Sequence, residues 1–434
     1  MKNFIKKTLK DPTVFKQKLW NWAQQQQVFL HLDSNQHTDT YSEFDYLFAI
    51  DVETSIQINY HQAFEKLQAY IDRTRDWVFG YMSYDLKNDT EQLSSFNNDK
   101  ISFPDLFFFQ PKKIFIVKGN HLFIKYQEHL INYLDTDLEK IQHLIATKSD
   151  SDFMGLNILP KVSKSDYIRK VRQLLQHIQR GDIYEVNFCM EFFAKNAKIN
   201  PYEMYENLNQ VSQPPFASFL KMNRLYAISA SPERYLKKTN QNLISQPIKG
   251  TKKRSPDPKV DNAYKQALLN DPKEHSENVM IVDLVRHDLS KTAQKNTVKV
   301  DELLGIYSFL QVHHLISTIS STVKPDTPLI DIIKTTFPMG SMTGAPKIKA
   351  MQLIEKYEVS KRGIYSGALG YITQDGNFDF NVMIRSVLYN EKQKYVSYSV
   401  GSAITAKSDP EKEYEECLLK AKALREVLTS DSLD

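Results

Sequence analysis

KKIFIVKGNHLFIKY, residues 112–126, follows Pro111 and concentrates isoleucine, valine and phenylalanine in runs too short for a helix. Short stretches rich in β-branched and aromatic residues read as strand. Working outward, VFLHLD (28–33) and DWVFGYMSYDL (76–86) have the same character, with polar helical stretches between them. The first part therefore reads as sheet with helices laid against it, a mixed α/β chain. Downstream, DYIRKVRQLLQHIQRG (166–181) predicts a helix stopped at Gly181, after which strands and helices alternate to the end. A polar segment, residues 146–164, connects the two parts, and no repeat of fixed period is visible.

Bulk composition narrows the function classes. A length of 434 residues leaves the domain count open. With 56 Lys+Arg against 52 Asp+Glu, the chain lacks the charge footprint of a nucleic-acid or membrane-surface binder, so a small substrate is expected. Two cysteines, Cys189 and Cys417, sit in no metal-binding spacing and cannot staple a chain of this length, which points to a reduced, cytoplasmic setting. The start, MKNFIKKTLKDPTVF, lacks the apolar core of a signal peptide, and no apolar run is long enough to cross a membrane.

The C-terminal stretch SDPEKEYEECLLKAKALREVL (408–428) predicts a helix capped by Asp409, with Pro410 at its first position and an inward stripe of Cys417, Ala421, Leu424 and Leu428. Glu413 and Glu416 flank that stripe. A second pair with the same spacing, Glu274 and Glu277, opens KEHSENVMIVDLVRHDLSK (273–291), where Val282, Val285 and Leu289 supply the buried side. Carboxylates beside a buried face call for something positive, and all-oxygen ligands suit Mg²⁺ better than zinc. Acidic residues in a first helical turn also answer the helix dipole, so spacing alone leaves both readings open.

FPMGSMTGAPKIKA (337–350) and SVGSAITAKSD (399–409) could each turn backbone N–H groups toward an anion. Neither has the Walker pattern, which argues against a nucleotide site. Lys249, in QPIKGTKKR (246–254), follows a β-type run and precedes Gly250. Burial near a cation would disfavour its charged form and make it a nucleophile, unlike Lys252 and Lys253, which read as solvated. His275, His287, His313 and His314 show no HExxH spacing and read as polar packing rather than zinc ligands.

Together, GDIYEVN (181–187), SPERYL (231–236), PIKGT (247–251), HSENVMIVDLVRHD (275–288), VHHLIS (312–317), FPMGSMTGAPK, GIYSGALGY (363–371), FNVMIRS (380–386) and DPEKEYEE (409–416) resemble the chorismate-utilising family. That family includes anthranilate synthase, aminodeoxychorismate synthase and isochorismate synthase. The resemblance runs in family order from about residue 165 to 428, and weakly through VFLHLDSN, GYMSYDL and FPDLFFF before that. It implies two interlocked subdomains, each a mostly antiparallel sheet with helices outside, forming a sandwich around the active site. The N-terminal subdomain would span residues 1–150 and the catalytic region 165–430.

The resemblance also implies roles. Lysine before Gly-Thr marks the aminodeoxychorismate synthase subgroup, where anthranilate synthases have alanine; Lys249 would attack ring carbon 2 and ammonia would then enter carbon 4. Glu233 would exchange the proton at the departing hydroxyl. Glu277 and Glu416 would contact Mg²⁺, supported by Glu274 and Glu413. Arg385 and Tyr365, with backbone near Gly401 and Ala403, would hold the enolpyruvyl carboxylate, while Gly250, Thr251, His314 and Ser341 line the ring site. Three positions depart from the family: Glu185 stands for a usual Gln, His287 for Asn, and Ser402-Ala403 for glycines. The N-terminal tryptophan motif of relatives survives only as LHLDS, so tryptophan binding is not expected. No Gly-x-Cys-x-Gly elbow is present, so ammonia is expected from solution or from a separate glutamine amidotransferase subunit, and release of pyruvate from another protein. Anthranilate synthase component I, isochorismate synthase and a non-catalytic chorismate-binding relative are the rival readings.

Overall fold

The computed structural model describes residues 4–37, 40–145 and 155–429. Part of the connecting segment expected at 146–164 lies outside the described residues; from it, Leu159–Pro160 forms a short strand against Phe192 and Phe193. Residues 112–126 fall in two strands, Leu106–Lys118 and His121–Tyr126, paired antiparallel about Gly119, whose φ of +56° suits a residue without Cβ.

Twenty strands pair continuously among the described residues, antiparallel at every ladder, and eleven α-helices cover them. Two long strands, Tyr46–Ile58 and Leu106–Lys118, run side by side along their whole length, and their register shifts between Val52 and Thr54. Asp51 there has φ +61°, and Pro111 faces Val52 across the irregularity. A bulge of this kind bends a strand and tolerates proline. One end of the bent pair continues through Val28–Asp33, Phe216–Met222, Leu225–Ser231, Ser386–Asn390 and Tyr395–Thr405 to Glu185–Ala194. The other continues through Val78–Met82, Ala368–Ile372, Phe378–Val382, Arg234–Thr239 and Asn242–Gln246 to Val312–Thr322, which also carries Ile248–Lys253. These are the two layers of the sandwich.

Alternation along the strands feeds two cores. Phe29, Phe219, Ile228 and Val387 face a cluster shared with the helices Pro12–Ala23, Lys164–Gln179, Pro201–Ser212 and Pro410–Thr429. Their neighbours Leu30, Leu220, Ala227 and Leu388 face a second cluster between the layers, which also takes Ile281, Val282, Val285 and Leu289 from the helix Pro272–Ser290. Strands apolar on both faces explain why VFLHLD reads as a continuous run, and each large side chain so buried contributes roughly 1.5–3 kcal/mol. No described helix is long and apolar enough to cross a membrane.

Candidate active site

Two capped helices deliver the acidic pairs. Asp271 Oδ1 accepts from the backbone N–H of Lys273 at 2.8 Å, and Asp409 Oδ1 from Glu411 and Lys412 at 3.0 Å, with Pro272 and Pro410 at the first helical positions. The buried stripes, Val282–Val285–Leu289 and Cys417–Ala421–Leu424–Leu428, are those expected, and the two helices border a cavity of about 780 Å³, the first through Glu274 and Glu277 near its start and the second through Glu416 and Lys420 near its middle. That volume suits a small-molecule site.

Lys249, Gly250 and Thr251 enter the cavity wall from the strand Ile248–Lys253, and His314 from its neighbour Val312–Thr322. Gly250 has φ +96°, and an added Cβ would lie 3.2 Å from Glu274 Oε2. Asn278 ties the acidic helix to this strand, accepting from Ser317 Oγ at 2.7 Å and donating to the Lys249 carbonyl at 3.4 Å. Glu233 reaches in from the turn before Arg234–Thr239, Ser341 from the turn Gly340–Met342, and Tyr365 and Arg385 from loops. Gly401 and Ala403 line the opposite side on Tyr395–Thr405. A Cβ on Gly401 would fall 2.5 Å from Cys189 Sγ, so glycine there answers a close approach.

Glu274, Glu277 and Glu416 line the same cavity, but Glu413 does not. Glu413 turns under its helix, 1% exposed, where Lys273 Nζ donates to Oε1 at 3.1 Å and Oε2 has no partner among the described residues. Lys273 also lies 3.7 Å from Glu277, while Lys420 holds Glu416 at 2.6 Å and donates to the Gly401 carbonyl at 2.9 Å. Among the described residues no three His, Cys, Asp or Glu side chains converge closely enough to cage a metal. The carboxylates nonetheless suit a cation. Burial raises Glu277 to about 7 despite Lys249 and Lys273, and burial followed by repulsion from Glu416 raises Glu274. A divalent ion between the two helices would relieve both.

The remaining electrostatics favour an anionic ligand. Arg385 lines the cavity without an ion-pair partner among the described residues, and burial lowers its pKa. The buried hydroxyl of Ser341 sits beside the Glu233 carboxyl. Burial raises the Glu233 carboxyl to about 7, against the pull of nearby Ser341 and Lys249. His314 is held neutral, lowered to about 3 by burial and then by Arg385, with Nδ1 at 2.9 Å from Thr251 Oγ1.

Lys249 differs from expectation. Burial does oppose its charge, but the carboxylates of Glu185 and Glu277 outweigh that, and its pKa is raised rather than lowered. Its Nζ donates to Glu185 Oε1 at 2.5 Å, so the resting side chain is an ammonium. Glu185 is visible in the sequence only as a departure from the family pattern, and Lys273 and Lys420 join the site without having been expected there. The spacings Lys273–Glu277 and Glu416–Lys420, one helical turn each, were the available signal for those two.

Comparison with known proteins agrees with this architecture. The profile described as chorismate binding enzyme matches residues 15–426. An anthranilate synthase component I-like protein of Synechocystis sp. is 35% identical over 360 residues, 81% of this chain and 72% of its own. Aminodeoxychorismate synthase component 1 of Escherichia coli is 32% identical over 356 residues, 81% of this chain and 76% of its own. The crystal structure of anthranilate synthase component I from Streptococcus pneumoniae shares the fold at a TM-score of 0.79 and 24% identity, covering 90% of this chain and 93% of its own.

Proposed function

The chain belongs to the chorismate binding enzyme family, and from that premise we propose that it replaces the carbon 4 hydroxyl of chorismate by ammonia, giving 4-amino-4-deoxychorismate for 4-aminobenzoate and folate synthesis. One observation carries this reading: a lysine, Lys249, shares the cavity wall with Glu233, a carboxyl that burial keeps partly protonated near neutral pH. Lys249 Nζ gives up a proton and bonds to ring carbon 2, the two ring double bonds shift, and the carbon 4 hydroxyl leaves as water with the proton of Glu233; Nζ regains its proton when it later departs. Ammonia then bonds to carbon 4, the double bonds return, lysine departs, and Glu233 takes back a proton. Direct amination at carbon 2 would set the lysine in competition with ammonia, so its presence favours carbon 4.

Arg385 and Tyr365, with the backbone at Gly401 and Ala403, hold the enolpyruvyl carboxylate; Gly250, Thr251, Ser341 and neutral His314 surround the ring. Mg²⁺ would be held by Glu277 and Glu416, with Glu274 beside them, and when bound would neutralise the ring carboxylate. Glu413 contributes by fixing Lys273. Ammonia comes from a separate glutamine amidotransferase.

The test is a chromatographic product assay with chorismate, an ammonium salt and Mg²⁺. The expected product is 4-amino-4-deoxychorismate, and Lys249→Ala should lose most of it. Anthranilate or isochorismate as the main wild-type product would overturn the assignment, and unaltered carbon 4 amination by Lys249→Ala would remove the lysine from the chemistry.

A further inference from the structure

The ion pair behind Lys249 leaves one atom unanswered. Glu185 is wholly buried, its Oε1 accepts from Lys249 Nζ at 2.5 Å, and its Oε2 has no hydrogen-bond partner among the described residues. A carboxylate kept permanently ionised in such a place needs further donors, since an under-solvated buried charge is costly. Lys249 Nζ is its hydrogen-bond donor, and the two groups lie close enough to share a proton. A proton moving between them changes no net charge in the site.

The backbone fixes this partner. Glu185 opens the strand Glu185–Ala194 with Ala345 on one side and Thr405 on the other. Its carbonyl packs on Gly344, where an added Cβ would lie 2.2 Å away. Other carboxylates act on Nζ from a greater distance: Glu274 and Glu277 from the helix Pro272–Ser290, Glu416 from Pro410–Thr429, and Glu233 from the turn before Arg234. Among the described residues, Glu185 is the carboxylate within ion-pair distance of Nζ.

We propose that Glu185 is the proton-accepting partner of Lys249, a positioning residue that holds Nζ at the cavity wall as an ammonium and takes one proton from it as the amine adds to the ring. This rests on the reading of Lys249 as nucleophile. One proton passes from Nζ to Glu185, and the freed lone pair forms the bond to carbon 2. The double bonds shift, and the carbon 4 hydroxyl leaves with its electron pair and the Glu233 proton, as water. In the second half, ammonia bonds to carbon 4 and gives its surplus proton to Glu233. The carbon 2–nitrogen bond breaks with its pair returning to Nζ, which recovers its proton from Glu185. Both carboxyl groups end as they began.

The test follows the Lys249 adduct by intact-protein mass spectrometry on full-length wild type, Glu185→Gln and Glu185→Asp, with chorismate and Mg²⁺ but no ammonia, across a pH series. In the wild type the proton stays within the pair, so the adduct rate follows Glu233 and falls above about 7. In Glu185→Gln the amine must lose its proton to water. Its rate should drop on the order of a hundredfold at neutral pH, and the slope of log rate against pH should rise by about one. Glu185→Asp should keep the wild-type slope at a reduced rate. A Gln variant with unchanged rate and slope overturns the proposal, and so does one that is slower with unchanged slope, which would leave Glu185 only a shaping role. Should the wild type aminate chorismate with ammonia yet show no adduct under trapping, the nucleophile reading falls and this proposal falls with it.

Discussion

Replacing Glu233 by glutamine should separate stability from activity, because the same burial that suits the carboxyl to proton exchange works against the fold. Its pKa is raised from 4.5 to about 7, chiefly by burial. At about 1.4 kcal/mol for each tenfold step, ionising it in place costs roughly 3 kcal/mol more than in the unfolded chain. Below the unfolded value both states hold the proton and nothing is lost. Between the two values the unfolded chain gives up its proton while the folded one keeps it, so stability declines from about pH 4.5 and the loss is complete once pH has passed the folded value near 7. Glutamine carries no such burden, and allowing for relaxation and water entry the variant should be more stable than wild type by roughly 1–3 kcal/mol at about pH 8.5 and nearly equal to it at about pH 4. Urea midpoints at the two pH values, without Mg²⁺ or chorismate, measure this. Turnover should fall by about 10²–10⁴ in the same variant. A Glu233→Gln protein less stable than wild type at the higher pH, or a difference independent of pH, would refute the reasoning and make the carboxylate a structural anchor.

The acidic residues should divide by where they face. Glu277→Gln and Glu416→Gln should lose the heat of Mg²⁺ binding in calorimetry as well as turnover, whereas Glu413→Gln should retain Mg²⁺ binding. Because Glu413→Gln breaks a buried pair whose lysine is 32% exposed, it should instead lower the urea midpoint, by about 1–2 kcal/mol, less than for a fully enclosed pair. Gly401→Ala should reduce kcat/KM by pushing its strand off Cys189, and adding Cys189→Ala should recover part of the loss. No recovery would place the damage elsewhere.

Local signals were legible from the sequence where one segment contains both cause and effect. Asp409-Pro410 sets one helix start, and apolar spacing chose the buried sides of both, so two acidic helices could be expected from short range alone. That Glu413, alone of the four, turns away from the cavity was not legible. Glu413 and Glu416 flank the same stripe on a helical wheel, and tertiary packing sends one under the helix to Lys273, 140 residues away in sequence. The charge of Lys249 is not legible for a similar reason. Burial can be guessed from a β-type run before Gly250, but the sign of the shift depends on how many carboxylates gather around the amine, and Glu185 is 64 residues distant. The bend in the long strand pair rests on Asp51 and on a register that a strand pattern does not reveal.

The order of strands has a consequence for synthesis on the ribosome. Glu185–Ala194, buried along most of its length, finds its long partner only in Tyr395–Thr405, whose residues are made some two hundred positions later. At roughly 5–20 residues per second, that strand waits on the order of ten to forty seconds. Throughout that interval Phe188, Cys189 and Met190 lie on an open apolar edge, the kind of surface that pairs with other chains. Nascent chains stalled anywhere between those two strands would be captured by chaperones or lost to aggregation, and none would hold the chorismate cavity, because the wall from Ser399 to Lys422 has yet to emerge.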